Sequence, residues 1–356
     1  MIGLTKEDRI RTVFGGGGHV VILGAGASIA ATMRNPELNG KKLPSMNDFI
    51  DVVGLRDIVD CLPETLKTNN FEELYSKLYS DNPDSSTIKE IESRVYSYFM
   101  DMELPNEPTI YDYLVLALRS RDLIATFNWD PFLYQAWCRN SHVGDSPYIA
   151  FLHGNVALGY NKEVRRSGPS GMAPKNTYNY FEPTKLLFPV MKKNYNRDEF
   201  TQGQWELLDS FLSDKDVKLL TIFGYGAPST DLEAIQALNK AWGTGNERNM
   251  EQIEIVDIRP EAKLVETWKK FINTHHYHCP TDYFKSSVAY NPRRTFESYF
   301  QHINPMKFAE SFSASNPVPM DFKTLEELWD WHKNLVEAEK EYYISQQYKK
   351  KAKQSS

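Results

Sequence analysis

Two short apolar segments each end in a residue able to act on a sugar. Ala125-Thr126-Phe127-Asn128-Trp129-Asp130-Pro131 delivers an amide, and Phe151-Leu152-His153-Gly154-Asn155 delivers an imidazole. The Asn128 amide carries both a donor and an acceptor, so it can hold a ribose hydroxyl, or a water beneath an anomeric carbon, without changing charge. An imidazole with an ordinary pKa of roughly 6.5 accepts a proton near neutral pH, and Gly154 leaves room beside it. Both segments also have plainer uses. A histidine at a strand end often serves only its own turn, and Asp130 before Pro131 is the expected cap of a following helix.

A third motif supplies a place for phosphate. Val20-Val21-Ile22-Leu23-Gly24-Ala25-Gly26-Ala27-Ser28 is an apolar strand ending in a glycine turn that opens a small-residue helix. Glycine lets backbone approach a pyrophosphate, and the N–H groups and positive end of the helix favour the anion, with the Ser28 hydroxyl as a further donor. Two more strand ends add small or polar groups. Gly224, Tyr225 and Gly226, in Thr221 to Asp231, would let a ribose or adenine pack on the backbone. Asp257, in Ile253 to Pro260, would accept from ribose hydroxyls. Ser229 and Thr230 also suit a helix cap.

Other chemistries fit less well. A dehydrogenase fingerprint needs Gly or Ala where Ile29 stands and an acid at the end of the next strand, but Asp48 and Asp51 fall in a helical pattern. No Gly-Lys-Ser/Thr follows the first glycine, which argues against nucleoside triphosphate hydrolysis. Gly168-Pro169-Ser170-Gly171-Met172 lacks the last glycine of a nucleophile elbow. Adjacent ligands in His275-His276-Tyr277-His278-Cys279 cannot easily converge on one ion, so no metal is expected.

These groups must be positioned by an α/β core. Five segments rich in Val, Ile, Leu and Phe read as buried strands: His19 to Gly24, Asp122 to Phe127, Tyr148 to Leu152, Val217 to Gly224 and Gln252 to Asp257. Helical spacing between them, as in Ile110 to Leu118, Gln204 to Leu212 and Leu232 to Trp242, predicts a Rossmann-like parallel sheet with helices on both faces. Residues 45–108 read as a helical insertion. Residues 155–197, rich in Gly, Pro, Asn, Ser and Tyr, read as long loops over the sheet, a lid, whose Lys162, Arg165 and Arg166 equally suit a solvated surface. The expected catalytic domain spans residues 1–275 and a helical extension 276–356. In the extension Leu325, Leu328, Trp329, Trp331 and Leu335 mark an amphipathic helix towards Tyr343, packing on its own domain or on a second subunit, and 349–356 read as a frayed basic tail.

Bulk composition excludes several classes. The chain has 356 residues, 41% apolar and 25% charged, with net charge -6, which suits an ordinary globular protein and disfavours direct nucleic-acid binding. Residues 1–13 hold no signal-peptide core and no segment is an unbroken membrane-spanning run, so a cytoplasmic protein is expected. Cys61, Cys138 and Cys279 are odd in number and far apart, and read as buried free thiols.

In order and spacing, GAGAS, TFNWD, LHG, FGYG and IVDIRP make the chain resemble the sirtuin-like family of NAD-consuming proteins over residues 10 to 275. The resemblance implies that Gly24, Ala25, Gly26 and Ser28 line the cofactor phosphates, that Asn128 and Asp130 face the nicotinamide ribose and carboxamide, and that His153 is the base. The two CxxC pairs of a sirtuin deacylase are absent, and Ile29 to Arg34 replace the family's usual continuation after the first motif. The chain looks more like bacterial sirtuin-like NAD hydrolases of antiphage defence. That likeness implies NAD as substrate with no metal, nicotinamide and ADP-ribose as products, a homo-oligomer, and an activating partner such as a helicase-translocase or a nucleotide-sensing protein. A non-catalytic NAD or ADP-ribose sensor and a divergent deacylase are the alternatives.

Overall fold

The computed structural model describes residues 5–33, 41–171, 180–190, 195, 198–228, 231–245, 247–248, 250–272, 276–303 and 315–354. Arg34, Met172, Ser229, Thr230 and His275 lie outside the described residues. In chain order the helices are α1 (Lys6–Arg11), α2 (Ala25–Thr32), α3 (Phe49–Val53), α4 (Arg56–Asp60), α5 (Phe71–Asp81), α6 (Ser86–Met100), α7 (Ile110–Ala117), α8 (Phe132–Asn140), α9 (Glu199–Ser213), α10 (Leu232–Trp242), α11 (Glu261–Trp268), α12 (Ser287–Tyr290), α13 (Thr295–Ile303) and α14 (Leu325–Gln354). The strands are β1 (Gly18–Leu23), β2 (Leu123–Thr126), β3 (Tyr148–Phe151), β4 (Leu158–Asn161), β5 (Arg166–Pro169), β6 (Glu182–Pro183), β7 (Val217–Phe223), β8 (Gln252–Val256) and β9 (Tyr277–His278).

The main sheet has six strands in the order β3-β2-β1-β7-β8-β9, and every pairing is parallel. Its central strands are covered on both faces, which is why they are continuous apolar runs rather than alternating ones. One face packs on the helices of the insertion with α7 and α8, the other on α9, α10 and α11. Chain direction across the sheet reverses between β1 and β7. In open α/β sheets, ligands bind at the carboxyl ends of the strands beside such a switch point. The five expected strands are all present, and the insertion is helical, as α3 to α6.

Four features differ from expectation. The lid folds as a small antiparallel sheet, β5-β4-β6, because β4 pairs with both neighbours despite their Gly and Pro content. The His-rich run enters the main sheet: β9 is its sixth strand, and His278 Nδ1 lies 3.3 Å from the buried Glu254 carboxylate. Cys61, which caps the end of α4, and Cys138 of α8 are exposed; all three cysteines are free. The expected tail continues α14 to Gln354, consistent with the good helix propensity of Lys, Ala and Gln.

The first part of α14 packs on its own chain. Leu328, His332, Leu335, Val336 and Glu339 are buried, and Trp329 donates to Asn140 Oδ1 at 2.6 Å. Burial would raise the Glu339 carboxyl, but hydrogen bonds and charge from Arg293, reinforced by Arg294 and Arg119, hold it at about 2. Among the described residues no helix is long and apolar enough to cross a membrane.

Candidate functional site

The carboxyl ends of β1, β2, β3 and β7 open onto one cavity of about 300 Å³, which the helical insertion also helps to line. Gly24, Ala25 and Ser28 line it from the start of α2; Phe127, Asn128, Trp129 and Asp130 from the end of β2; His153 from the end of β3; and Gly224, Tyr225, Gly226 and Asp231 from the end of β7. Leu43, Met46, Phe49 and Phe99 supply an apolar roof. Burial of this kind strengthens any charge or dipole facing a ligand.

The orientation of Asn128 is fixed by its neighbours. Its Nδ2 donates to the Gly24 carbonyl at 2.8 Å and lies 2.9 Å from Ser28 Oγ and 3.2 Å from the Tyr111 hydroxyl. A carbonyl only accepts, so nitrogen must face Gly24. Oδ1 is thereby the atom left to accept from a ligand at the cavity wall.

Behind the amide lies a buried relay. Ser28 Oγ donates to Asp130 Oδ2 at 2.7 Å and sits 2.6 Å from the Tyr111 hydroxyl. Burial pushes the Asp130 carboxyl up to about 6, against the downward effect of the Ser28 hydrogen bond. Burial and then the Asp130 charge raise Tyr111 well above its ordinary range. The following helix begins at Phe132, one residue later than Asp-Pro predicts, and Asp130 Oδ1 accepts from its N–H at 3.2 Å.

His153 is held in an aromatic frame. Phe127 meets its ring edge-on at 4.8 Å between centroids, and Tyr225 stacks on Phe127 at 4.2 Å. Trp205 of α9 donates from Nε1 to the preceding carbonyl, that of Leu152, at 3.1 Å. Gly154 has φ +77°, and a Cβ there would lie 2.3 Å from the Lys185 carbonyl oxygen. The turn after the histidine therefore requires glycine.

Two of the residues singled out in the sequence do not line this cavity. The Gly26 N–H donates to the Gly224 carbonyl at 2.9 Å, and the Gly24 N–H to the Phe223 carbonyl at 3.0 Å. These donors knit α2 to the end of β7 and are taken up before any phosphate arrives. The Asp257 carboxylate is gripped by Arg259, at 2.8 Å and 3.0 Å. A Cβ on Gly26 would sit 2.8 Å from Gly224 Cα. Gly26→Ala is therefore expected to destabilise the protein by about 1 to 3 kcal/mol, read as a lower denaturant midpoint, whereas Gly203→Ala in the open middle of α9 should not.

No family model matches the chain, and no curated protein matches it. Among solved structures it is similar to a Sir2 homologue in complex with NAD, at 12% identity over 78% of this chain and 88% of that chain, with a TM-score of 0.39. It is also similar to a Sir2 homologue variant bound to 2'-O-acetyl ADP ribose, at 12% identity over 85% and 96%, TM-score 0.38. A serine-to-alanine variant of a Sir2 homologue bound to ADP ribose gives 11% identity over 71% and 84%, TM-score 0.36.

The sequence reading missed Tyr111 and Asp231. Tyr111 is a polar group inside the apolar helix α7, its hydroxyl held by Ser28 and Asn128. Asp231 follows the β7 motif immediately, yet nothing local distinguishes it from an ordinary helix-start acid. Among the described residues no group of three or more His, Cys, Asp or Glu is placed to hold a metal ion.

Proposed function

We propose that this chain is an NAD glycohydrolase, releasing nicotinamide and ADP-ribose. The observation that carries the reading is that Asn128 and His153, from adjacent strand tips, line the same buried cavity. In the proposed reaction the C–N bond breaks with its electron pair going to the pyridinium nitrogen, which neutralises it and needs little acid assistance. The ribose passes through an oxocarbenium-like state. Asn128 Oδ1 accepts from the attacking water or a ribose hydroxyl, and His153 takes the proton that water loses. Asp130 faces the carboxamide, and the positive end of α2, at Gly24 and Ala25, faces the pyrophosphate.

Purified chain incubated with NAD alone should release nicotinamide and ADP-ribose in equal amounts. NAD bound but intact would replace the enzyme by a sensor. Turnover only with an acyl-lysine peptide would replace it by a deacylase. The proposal extends to an NAD-depleting role in antiphage defence, with activation by self-assembly or a partner protein, so the assay is repeated across protein concentrations and with co-expressed neighbours.

A further inference from the structure

His153 shares the cavity wall with a carboxylate that the reaction above does not use. Asp231 Oδ1 lies 3.9 Å from His153 Nε2, and both side chains are buried. The other oxygen, Oδ2, accepts from the Tyr225 hydroxyl at 2.9 Å. Burial, and then the Asp231 charge, raise Tyr225 far above its ordinary range, so it stays a neutral donor to the Asp231 carboxyl group. Tyr225 is itself fixed by stacking on Phe127, the ring that frames the imidazole.

We propose that Asp231 is a positioning residue for His153, holding Nε2 towards its carboxylate and stabilising the imidazolium formed during turnover, with Tyr225 locking the carboxylate in place. This rests on the glycohydrolase reading of the same cavity. At 3.9 Å the two groups come into charge contact when the imidazole gains a proton. Proton bookkeeping then closes: with Nε2–H facing Asp231, the water O–H bond breaks, its oxygen bonds the anomeric carbon, its proton goes to Nδ1 of His153, and that proton leaves to solvent when nicotinamide and ADP-ribose depart.

The other titratable groups around the ring do not supply this role. Tyr195 stacks on His153 with centroids 6.2 Å apart and is raised by burial and then by Asp231. Glu72 of α5 and Asp130 line the same cavity, and no Lys or Arg does so among the described residues. Among the described residues, Asp231 places a carboxylate in ion-pair range of the ring.

The test uses the full chain and two readouts, the His153 ring-proton titration by NMR and the pH profile of nicotinamide release. Asp231→Asn removes the opposite charge, so the His153 midpoint should fall by about one to two pH units. The acid limb of kcat should move equally far towards low pH, with KM little changed. Tyr225→Phe should move the midpoint less, and upward, because the carboxylate loses a donor that shares its charge. Asp231→Glu should recover most of the wild-type midpoint, and the upward shift in Tyr225→Phe serves in place of Asp231→Asn should that variant not fold. A purely structural Asp231 would depress kcat at every pH without moving the limb, and a His153 midpoint in Asp231→Asn, or in Tyr225→Phe in its place, identical to that of wild type overturns the proposal. Wild-type protein that releases no nicotinamide sinks the hydrolase reading instead, while the NMR comparison still decides the pairing.

Discussion

His153→Ala is expected to cut nicotinamide release by roughly 10²- to 10⁴-fold, the usual contribution of a positioned general base. The fold should survive, because the imidazole's frame of Phe127, Tyr195 and Trp205 is held by aromatic packing and by the Trp205 bond to the Leu152 carbonyl. Asn128→Ala is expected to lose a similar factor for a different reason. It removes the Oδ1 acceptor, and it also takes one of two donors from the Gly24 carbonyl, which keeps the Ala27 N–H at 2.9 Å, costing about 1 kcal/mol of stability. Groups that act on the same water act as a unit, so the double variant should be little slower than the worse single one. Multiplying losses in the double variant would mean that the amide and the imidazole serve separate steps. Unchanged release in His153→Ala would remove it from the reaction.

The strand tips were legible because a parallel sheet buried on both faces leaves long apolar runs, and the residue that ends each run is conspicuous. Asn128, Asp130 and His153 stand out for that reason. What convergence across the chain decides was not legible. Tyr111 reaches Ser28 and Asn128 from positions 83 and 17 residues away, and no local pattern announces such a meeting. The same holds for Gly26 and Asp257, whose types suit a nucleotide site while their bonds go to Gly224 and Arg259. Short strands escaped for another reason. β6 and β9 have two residues each, below the length at which alternation or an apolar run can be read. The lid sheet is built from Gly159, Gly168, Pro169 and Pro183, residue types that weaken strands on average, and its pairing owes more to the surrounding chain than to propensity.

Asp130→Asn is expected to make the protein more stable at pH 8 and inactive. An ionised carboxylate in this cavity wall is disfavoured: burial raises its pKa from the ordinary 3.8 to about 6 in the folded chain. A raised acid binds its proton more tightly when folded. Its stabilising contribution is therefore complete below pH 3.8, is lost as pH rises to about 6, and is absent above that. The loss amounts to about 3 kcal/mol on the protonated reference. Asparagine keeps an acceptor for Ser28 Oγ or for the Phe132 N–H while carrying no charge, and gives back about 1 kcal/mol for the bond it makes less well. The variant should thus unfold at higher denaturant than wild type at pH 8, with the advantage shrinking or reversing by pH 4. The buried histidines His19 and His332, lowered by burial to about 3 and about 4, work in the opposite direction, since they must charge to unfold in acid. Only the difference between the two proteins isolates Asp130, because both share those histidines. A variant less stable than wild type at pH 8 would mean that the carboxylate is well satisfied by Ser28 and Phe132, and the case for a strained, ligand-facing acid would fail. A variant more stable than wild type at pH 8 yet inactive would mark the Asp130 carboxylate as a group kept for a ligand, as the proposed reading has it.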